Sequence, residues 1–326
     1  MAFSEAAPTC AILFRCEATD RAKCGPMEFR TLHLEDKAAV NDVLLPLGRN
    51  DSALGFANLY SLTEKYGTQI ALEDGVLYVR QLDRIPGAVA YYPPLGTLDI
   101  ADDVRTLMRE AQAEGRRLHL VGLSPKEKEQ LEADLPGAFE FSSDRNFADY
   151  LYLTKTIAAY EGPGLAKKRR ETNKFFQLYG SEASFEPIAL DHMDELRAYQ
   201  QVWFETSRRR GTDEHPLELE HRKILLDMNH FEELDLEGIL LRIGGTVEGY
   251  AYGSVLPGGA FDVMVLKGNL DFRFVWRALL RELARYCVDK ATYLNLEEDL
   301  GLPGLRENKL SYQPCALMEK YQGRLL

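Results

Sequence analysis

Two cycles of secondary-structure signals, one in each half of the chain, limit what this sequence can fold into. In the first, residues 27–32 read as a strand, and residues 35–47 and 50–66 as helices. Strands at 69–72 and 76–82 follow, separated by Glu73-Asp74-Gly75, a turn that supplies the positive φ a tight hairpin needs. A strand at 88–92 leads to a helix at 98–114 with Val104, Leu107, Met108 and Ala111 on one face. A strand at 117–123 precedes Ser124-Pro125, a helix start with serine at the cap and proline at the first position. Residues 139–141 and 150–153 read as closing strands.

The second cycle repeats this order. It has a basic helix at 164–179, a strand at 183–188, a helix capped by Asp191 that reaches about 209, and another at 216–228. Three strands follow at 238–243, 247–256 and 261–266, with Gly244-Gly245 as a hairpin turn. The helix at 272–290 gathers Val275, Trp276, Leu279, Leu280, Leu283, Tyr286 and Cys287 on one face. Residues 291–296 and 316–321 supply last strands. No sequence repeat of fixed period accompanies this, so the likeness is one of element order. The pattern predicts a duplicated α+β (α/β) fold in which each half is a mixed sheet flanked by helices. The expected division is 27–154 and 155–326, with 1–26 as a disordered N-terminal extension.

Composition narrows the function. Of 326 residues, 45% are hydrophobic, enough for a core in each half, and the net charge of −12 argues against broad nucleic-acid binding while leaving room for a local basic groove. Cys10, Cys16, Cys24, Cys287 and Cys315 have no CxxC spacing and read as reduced thiols of a cytoplasmic protein. Cys287, on the apolar helix face, reads as core. His215, His221 and His230 lack metalloprotease spacing, and no metal is expected. No nucleophile elbow or Walker loop is present. No apolar run approaches the roughly 20 residues that cross a bilayer.

Two charged stretches remain as candidates. In 293–314 a strand runs into Glu297, Glu298 and Asp299. Gly301 and Gly304 follow, then Arg306 and Lys309 on a short helical turn. This order sets opposite charges around a backbone that can approach a ligand. In 165–180, Lys167, Lys168, Arg169, Arg170 and Lys174 crowd a helix beside Asn173, with Phe175, Phe176 and Leu178 on another face. Like charges on one stripe suit an anion such as phosphate. Arg208-Arg209-Arg210 reads first as a complement to a helix dipole. The junction at Lys267–Asp271 has one glycine, a weak cradle for the pyrophosphate of CoA.

Residues 149–154, 167–179 and 295–314 together resemble the C-terminal catalytic domain of the bacterial phosphatidylglycerol lysyltransferases, and more closely the soluble proteins grouped with it. The resemblance covers roughly 28–323. It implies two tandem GNAT-like domains related to the peptidoglycan-bridge aminoacyltransferases, with the site in the second. It departs at Arg170, where the family often has asparagine. By this resemblance the chain is an acyltransferase that moves an aminoacyl group from aminoacyl-tRNA to an amine or hydroxyl acceptor. The acceptor is a small molecule, a peptide or a lipid, but the multi-span membrane portion of the lipid enzymes is absent here, so the resemblance does not itself imply lipid. The alternatives are an acyl-CoA-dependent N-acyltransferase and a non-catalytic binder of a cationic small molecule or peptide. Expected catalytic residues are Glu297, Glu298, Asp299, Arg306 and Lys309. Lys167, Lys168, Arg169, Arg170, Asn173 and Lys174 would hold donor phosphates, and Asn295, Tyr312 and Tyr152 the substrate. No cofactor is implied beyond the donor itself. The expectation on which the site depends is that the basic helix and the acidic bend face one cavity.

Overall fold

The computed structural model describes residues 27–326. The expectation for 1–26, and Cys10, Cys16 and Cys24, lie outside the described residues. The first half runs β1 (Arg30–Thr31), α1 (Lys37–Leu44), α2 (Phe56–Ser61), α3 (Thr63–Tyr66), β2 (Thr68–Glu73), β3 (Val76–Ile85), β4 (Ala88–Tyr91), α4 (Ile100–Ala113), β5 (Leu118–Leu123), α5 (Pro125–Asp134) and β6 (Phe139–Ser143). The rest runs β7 (Asp149–Leu153), α6 (Thr154–Ala159), α7 (Ala166–Tyr179), β8 (Ala183–Pro187), α8 (Met193–Arg209), α9 (Glu214–Asn229), β9 (Glu237–Ile243), β10 (Thr246–Val255), β11 (Phe261–Gly268), α10 (Val275–Cys287), β12 (Tyr293–Asn295), α11 (Pro303–Leu310), β13 (Ala316–Met318) and β14 (Tyr321–Leu325).

Local signals set many of these boundaries. Asp74 and Gly75 both take positive φ, 49° and 80°, and make the β2–β3 turn. Gly244 and Gly245 do the same between β9 and β10, at 59° and 83°. Ser124 caps α5 through a reciprocal box with Glu127. Asp191 does not cap α8. It sits inside a short 3-10 turn, and the ring of His192 accepts from the Ala189 amide instead.

There are two seven-stranded mixed sheets flanked by helices, the tandem GNAT-like arrangement that the resemblance implies. Their orders are β1-β2-β3-β4-β5-β14-β6 and β13-β7-β12-β11-β10-β9-β8. Each has one parallel pair, β4 with β5 and β11 with β12. The orders correspond strand for strand, with the sixth strand of each contributed by the other half of the chain. β7 follows β6 in sequence but pairs with β12 and β13. β14, at the far end of the chain, inserts between β5 and β6. A single cut at 154 therefore does not separate the sheets. The sequence signal for one closing strand at 316–321 resolves into two short strands, one in each sheet, with Lys320 between them.

The period-2 alternation of the strands builds the layers. In β3 and β4, Leu77, Val79 and Ala90 face a core between the sheets, whereas Tyr78, Val89 and Tyr91 face outward onto Val104, Leu107 and Leu131 of α4 and α5. In β10, Tyr250 and Tyr252 face the same central core and Ala251 faces away, toward Leu280 and Leu283 of α10. The central core also takes Val40, Phe56 and Leu59 from the first half and Leu196, Ile224 and Met228 from α8 and α9. The two sheets thus share one core and are locked by exchanged strands. Among the described residues no helix is long and apolar enough to cross a membrane.

Ending the chain after Lys320 tests the exchange. β6 would lose β14, its hydrogen-bonding neighbour, and the apolar contacts of Tyr321 and Leu325. Losing that burial should cost at least about 3 kcal/mol, read as a lower denaturant midpoint and as fast amide exchange at 139–143. Continued protection of 139–143 would contradict the pairing.

Candidate functional site

The bend after β12 divides the three acids between two tasks. Asn295 is fully buried. Its amide donates to the Asn50 carbonyl (2.8 Å) and Asp149 (3.0 Å), and its oxygen accepts from the Glu297 amide (2.7 Å). Glu297 and Leu300 then take left-handed φ of 55° and 52°, uncommon and strained for residues with side chains. β7 holds the first of these in place: the Tyr150 amide donates to the Glu297 carbonyl and the Leu296 amide to the Tyr150 carbonyl.

This backbone turns Asp299 inward and the two glutamates toward a cavity. Asp299 has no exposed surface. It accepts two bonds from Arg306 (2.8 and 2.9 Å) and others from Arg145 (2.9 Å), the Tyr150 hydroxyl (2.5 Å) and the Gly301 amide (2.9 Å). The Arg306 guanidinium, with these other donors, holds its carboxyl far below the usual range. Lys309 donates to the carbonyls of Leu296 (2.5 Å) and Glu298, and burial lowers its pKa. The Tyr152 hydroxyl donates to the Lys309 carbonyl (2.8 Å). Asn295, Asp299, Arg306, Lys309 and Tyr152 therefore brace the bend.

Glu297 and Glu298 line a cavity of about 430 Å³ between the two sheets. Asn58, Ser61, Tyr66 and Arg84 from the first half share it with Lys223, Met264 and Leu300 from the second. On its floor the Asn58 amide donates to Asp262 (2.8 Å) and Glu297 (3.1 Å). Burial, then mutual repulsion, pushes the Asp262 carboxyl well up. Burial and the Glu298 charge likewise raise Glu297. Two carboxyls on one amide favour holding a proton between them. The Oδ1 atoms of Asn58 and Asp262 are buried with no hydrogen-bond partner, a cost normally met by a ligand or water.

The cations of this cavity differ in their freedom. Lys223 pairs with buried Asp227 (2.8 Å), which also accepts from the hydroxyls of Tyr252 (2.8 Å) and Ser61. Arg84 donates to Gln81 (2.9 Å) and the Tyr92 hydroxyl (3.1 Å). Among the described residues no carboxylate lies within ion-pair reach of its guanidinium, so it is available to an anionic or polarised oxygen.

The basic helix does not join this cavity. No α7 residue lines it. α7 packs through Phe175 against Val275, Ala278 and Leu279 of α10, on the face of the second sheet away from the first half. Lys168 is buried, with its ammonium 3.9 Å from the Tyr312 ring centroid and its pKa lowered by burial to about 8. Arg169 donates to the Tyr160 carbonyl (2.6 Å). Lys167, Arg170, Asn173 and Lys174 are exposed. Leu178 is also exposed, so only Phe175 is fully buried on the apolar side.

Sequence reading missed Asn58, Arg84, Lys223 and Asp262. One signal was visible: Asp262 is the one acid in the otherwise largely apolar β11, which also holds Lys267 near its end. Among the described residues no cluster of His, Cys, Asp or Glu is placed to hold a metal, and Cys287 is buried in the core.

A fold of two strand-exchanged mixed sheets around a charged central cavity defines a tandem acyltransferase-type protein. The chain belongs to the family of phosphatidylglycerol lysyltransferase C-terminal domains, whose model matches residues 46–322. It is similar to a crystal structure of a conserved protein of unknown function from Bacteroides thetaiotaomicron, with 29% identity, 92% of this chain and 100% of that one covered, and a TM-score of 0.86. It is also similar in fold to the C-terminal domain of a protein described as a lysylphosphatidylglycerol synthetase from Agrobacterium fabrum (16% identity, 89% and 91% covered, TM-score 0.63). L-PGS from Bacillus licheniformis is a further neighbour in fold (14%, 82% and 90%, 0.57). No curated protein matches the chain significantly.

The raised Asp262 carboxyl gives a signed prediction. The folded state holds its proton more tightly than the unfolded chain does. This contribution is complete below about pH 4 and is lost as pH rises through the elevated native value. Asp262→Asn removes that slope. Its stability relative to wild type should rise as pH climbs above about 4 in urea titrations. Parallel profiles for the two proteins would contradict the assignment.

Proposed function

We propose that this protein is an aminoacyltransferase that takes its acyl group from aminoacyl-tRNA and passes it to an amine or hydroxyl acceptor in the cavity between the sheets. The observation that carries this reading is one cavity lined by Arg84, a guanidinium without a carboxylate partner among the described residues, and by Glu297, whose carboxyl shares the Asn58 amide with the buried Asp262, with the unpartnered Oδ1 atoms of Asn58 and Asp262 behind it. An aminoacyl ester matches both sides. Its ammonium group suits the acceptor oxygens of Asn58 and Asp262, and its carbonyl oxygen suits Arg84. A simple acyl group such as acetyl would leave the acceptor side unfilled.

The acceptor nitrogen or oxygen attacks the ester carbonyl carbon and forms the new C–N or C–O bond. Charge develops on the carbonyl oxygen, where Arg84 stabilises it. Glu297, in its ionised form, takes the acceptor's proton, and its raised pKa brings it toward the range useful to a base at neutral pH. The C–O bond to the donor ribose then breaks, and the proton passes to the ribose oxygen. Glu298, held by Lys320 at 2.8 Å, fixes the bend that presents Glu297. The exposed α7 stripe of Lys167, Arg170 and Lys174 would meet tRNA phosphates outside the cavity. Relatives named for lysyl transfer to phosphatidylglycerol make that lipid one acceptor to try first, alongside small amines and peptides.

The test follows release of labelled amino acid from a mixture of aminoacyl-tRNAs, with phosphatidylglycerol vesicles or a soluble amine pool as acceptor. Wild type should transfer label. Glu297→Gln should slow transfer by roughly 100-fold or more, the usual worth of a general base. Transfer from acyl-CoA with aminoacyl-tRNA left intact would overturn the reading in favour of an acyl-CoA-dependent enzyme. Tight binding of cationic ligands without turnover of either donor would favour a binding module.

A further inference from the structure

A second cavity, of about 630 Å³, opens on the other side of α8 from the first. The chain has two tryptophans, and both line it: Trp203 from α8 and Trp276 from the first turn of α10. Trp276 is 38% exposed, and Val202 and Leu270 beside it are more exposed still. Aromatic and apolar surface is therefore left open at one mouth. Lys267 fixes the inner wall, its ammonium 3.8 Å from the Trp203 ring centroid and 2.7 Å from Glu220. Trp203 and Thr212 line the central cavity as well, so the two spaces meet at a single partition.

One cation, Arg210, lines this mouth, and its pair with the exposed Asp271 is loose. The acids that line it have partners: Glu195 with Arg242 (2.5 Å), Glu248 with the Asn269 amide (2.8 Å), and Asp271 loosely with Arg210 (3.7 Å). Arg210 follows Arg208 and Arg209 at the exposed end of α8, and their own pairs, at 3.9 and 3.3 Å, are on the surface and weak. Past the mouth, the Arg273 amide donates to the Tyr179 hydroxyl at the end of α7, and Tyr179 stacks edge-on against Phe272. α7, which carries the cationic stripe, thus ends against the Phe272–Arg273 segment that follows Asp271 of the cavity wall.

We propose that this second cavity binds the adenosine end of the acyl donor. The adenine stacks on Trp203 and Trp276, the phosphate meets Arg210, and the acyl end passes Trp203 and Thr212 into the central cavity. Base stacking on aromatic side chains, with arginine on the adjoining phosphate, is how single-stranded nucleic-acid ends are held, and the volume fits a nucleotide-sized ligand. This rests on the donor reading above. The adenosine is common to aminoacyl-tRNA and CoA, so the site does not presuppose which donor is used.

Because both tryptophans line the cavity, intrinsic fluorescence reads its occupancy directly. AMP should quench emission saturably at millimolar concentration or below. Trp276→Ala, on a helix surface, should fold as wild type and weaken AMP by about tenfold or more, the worth of one base stack. Arg210→Glu should weaken AMP and leave adenosine unchanged. An RNA hairpin ending in CCA that binds more tightly than AMP, and loses that gain in Lys174→Glu, identifies tRNA as the source. CoA binding more tightly than AMP, with no response to Lys174→Glu, identifies CoA. If AMP, hairpin and CoA all leave the emission unchanged in protein that still consumes a donor, this proposal is overturned and the transfer reading stands. If AMP quenches but no donor is ever consumed, the nucleotide site stands and the transfer reading falls.

Discussion

One buried ammonium, that of Lys320, ties this architecture together. It lies 2.7 Å from Asp149, 2.8 Å from Glu298 and 3.4 Å from Asp51. Burial opposes its charge, but the three carboxylates outweigh that and hold it protonated well above the ordinary lysine range. These partners come from three parts of the chain: Asp51 from the loop before α2, Asp149 from the first residue of β7, and Glu298 from the bend after β12. Lys320 itself sits where the chain leaves one sheet for the other. A buried charge is tolerable only when fully paired. The strand exchange and the acidic bend are therefore coupled: if either shifts, a charge is left uncompensated in the core.

That coupling explains how a strained backbone persists beside the cavity. Two non-glycine residues in left-handed conformation cost free energy that the surroundings must over-determine. Asp299, clamped by two arginines and a tyrosine, anchors one side of the bend. Lys320 and Lys309 anchor the other. What remains free is Glu297, whose carboxyl reaches Asn58 of the first half rather than a cation. The central cavity then belongs to neither sheet alone, since its guanidinium comes from β3 and its carboxyl pair from β11 and the bend.

Much of the fold was legible in the sequence because its signals are local. Turns such as Asp74-Gly75, the Ser124 cap and the apolar face of α10 depend on residues within one or two turns of each other. The strand exchange was not legible, since β7 and β14 carry the same short pattern as any closing strand and their partners lie far away in sequence. The acidic bend was found, but three consecutive acids cannot be ranked without knowing that φ turns positive at Glu297. Arg84, Asn58 and Lys223 are single polar residues in ordinary elements, brought together by packing alone. The basic helix was read correctly as a helix, and its outer stripe is exposed. Its predicted meeting with the acids did not follow, because the apolar side of α7 docks on α10, behind the sheet that carries them.

A transfer centre between the sheets requires the donor's acyl group to sit in the central cavity. An aminoacyl-tRNA carrying a photoreactive amino-acid side chain, irradiated on the protein and mapped by peptide sequencing, reports this directly. Labels on peptides from both 58–66 and 297–300 are predicted, because the cavity draws its walls from both sheets. Labels confined to 166–179, the outer face of α7, would contradict a transfer centre between the sheets.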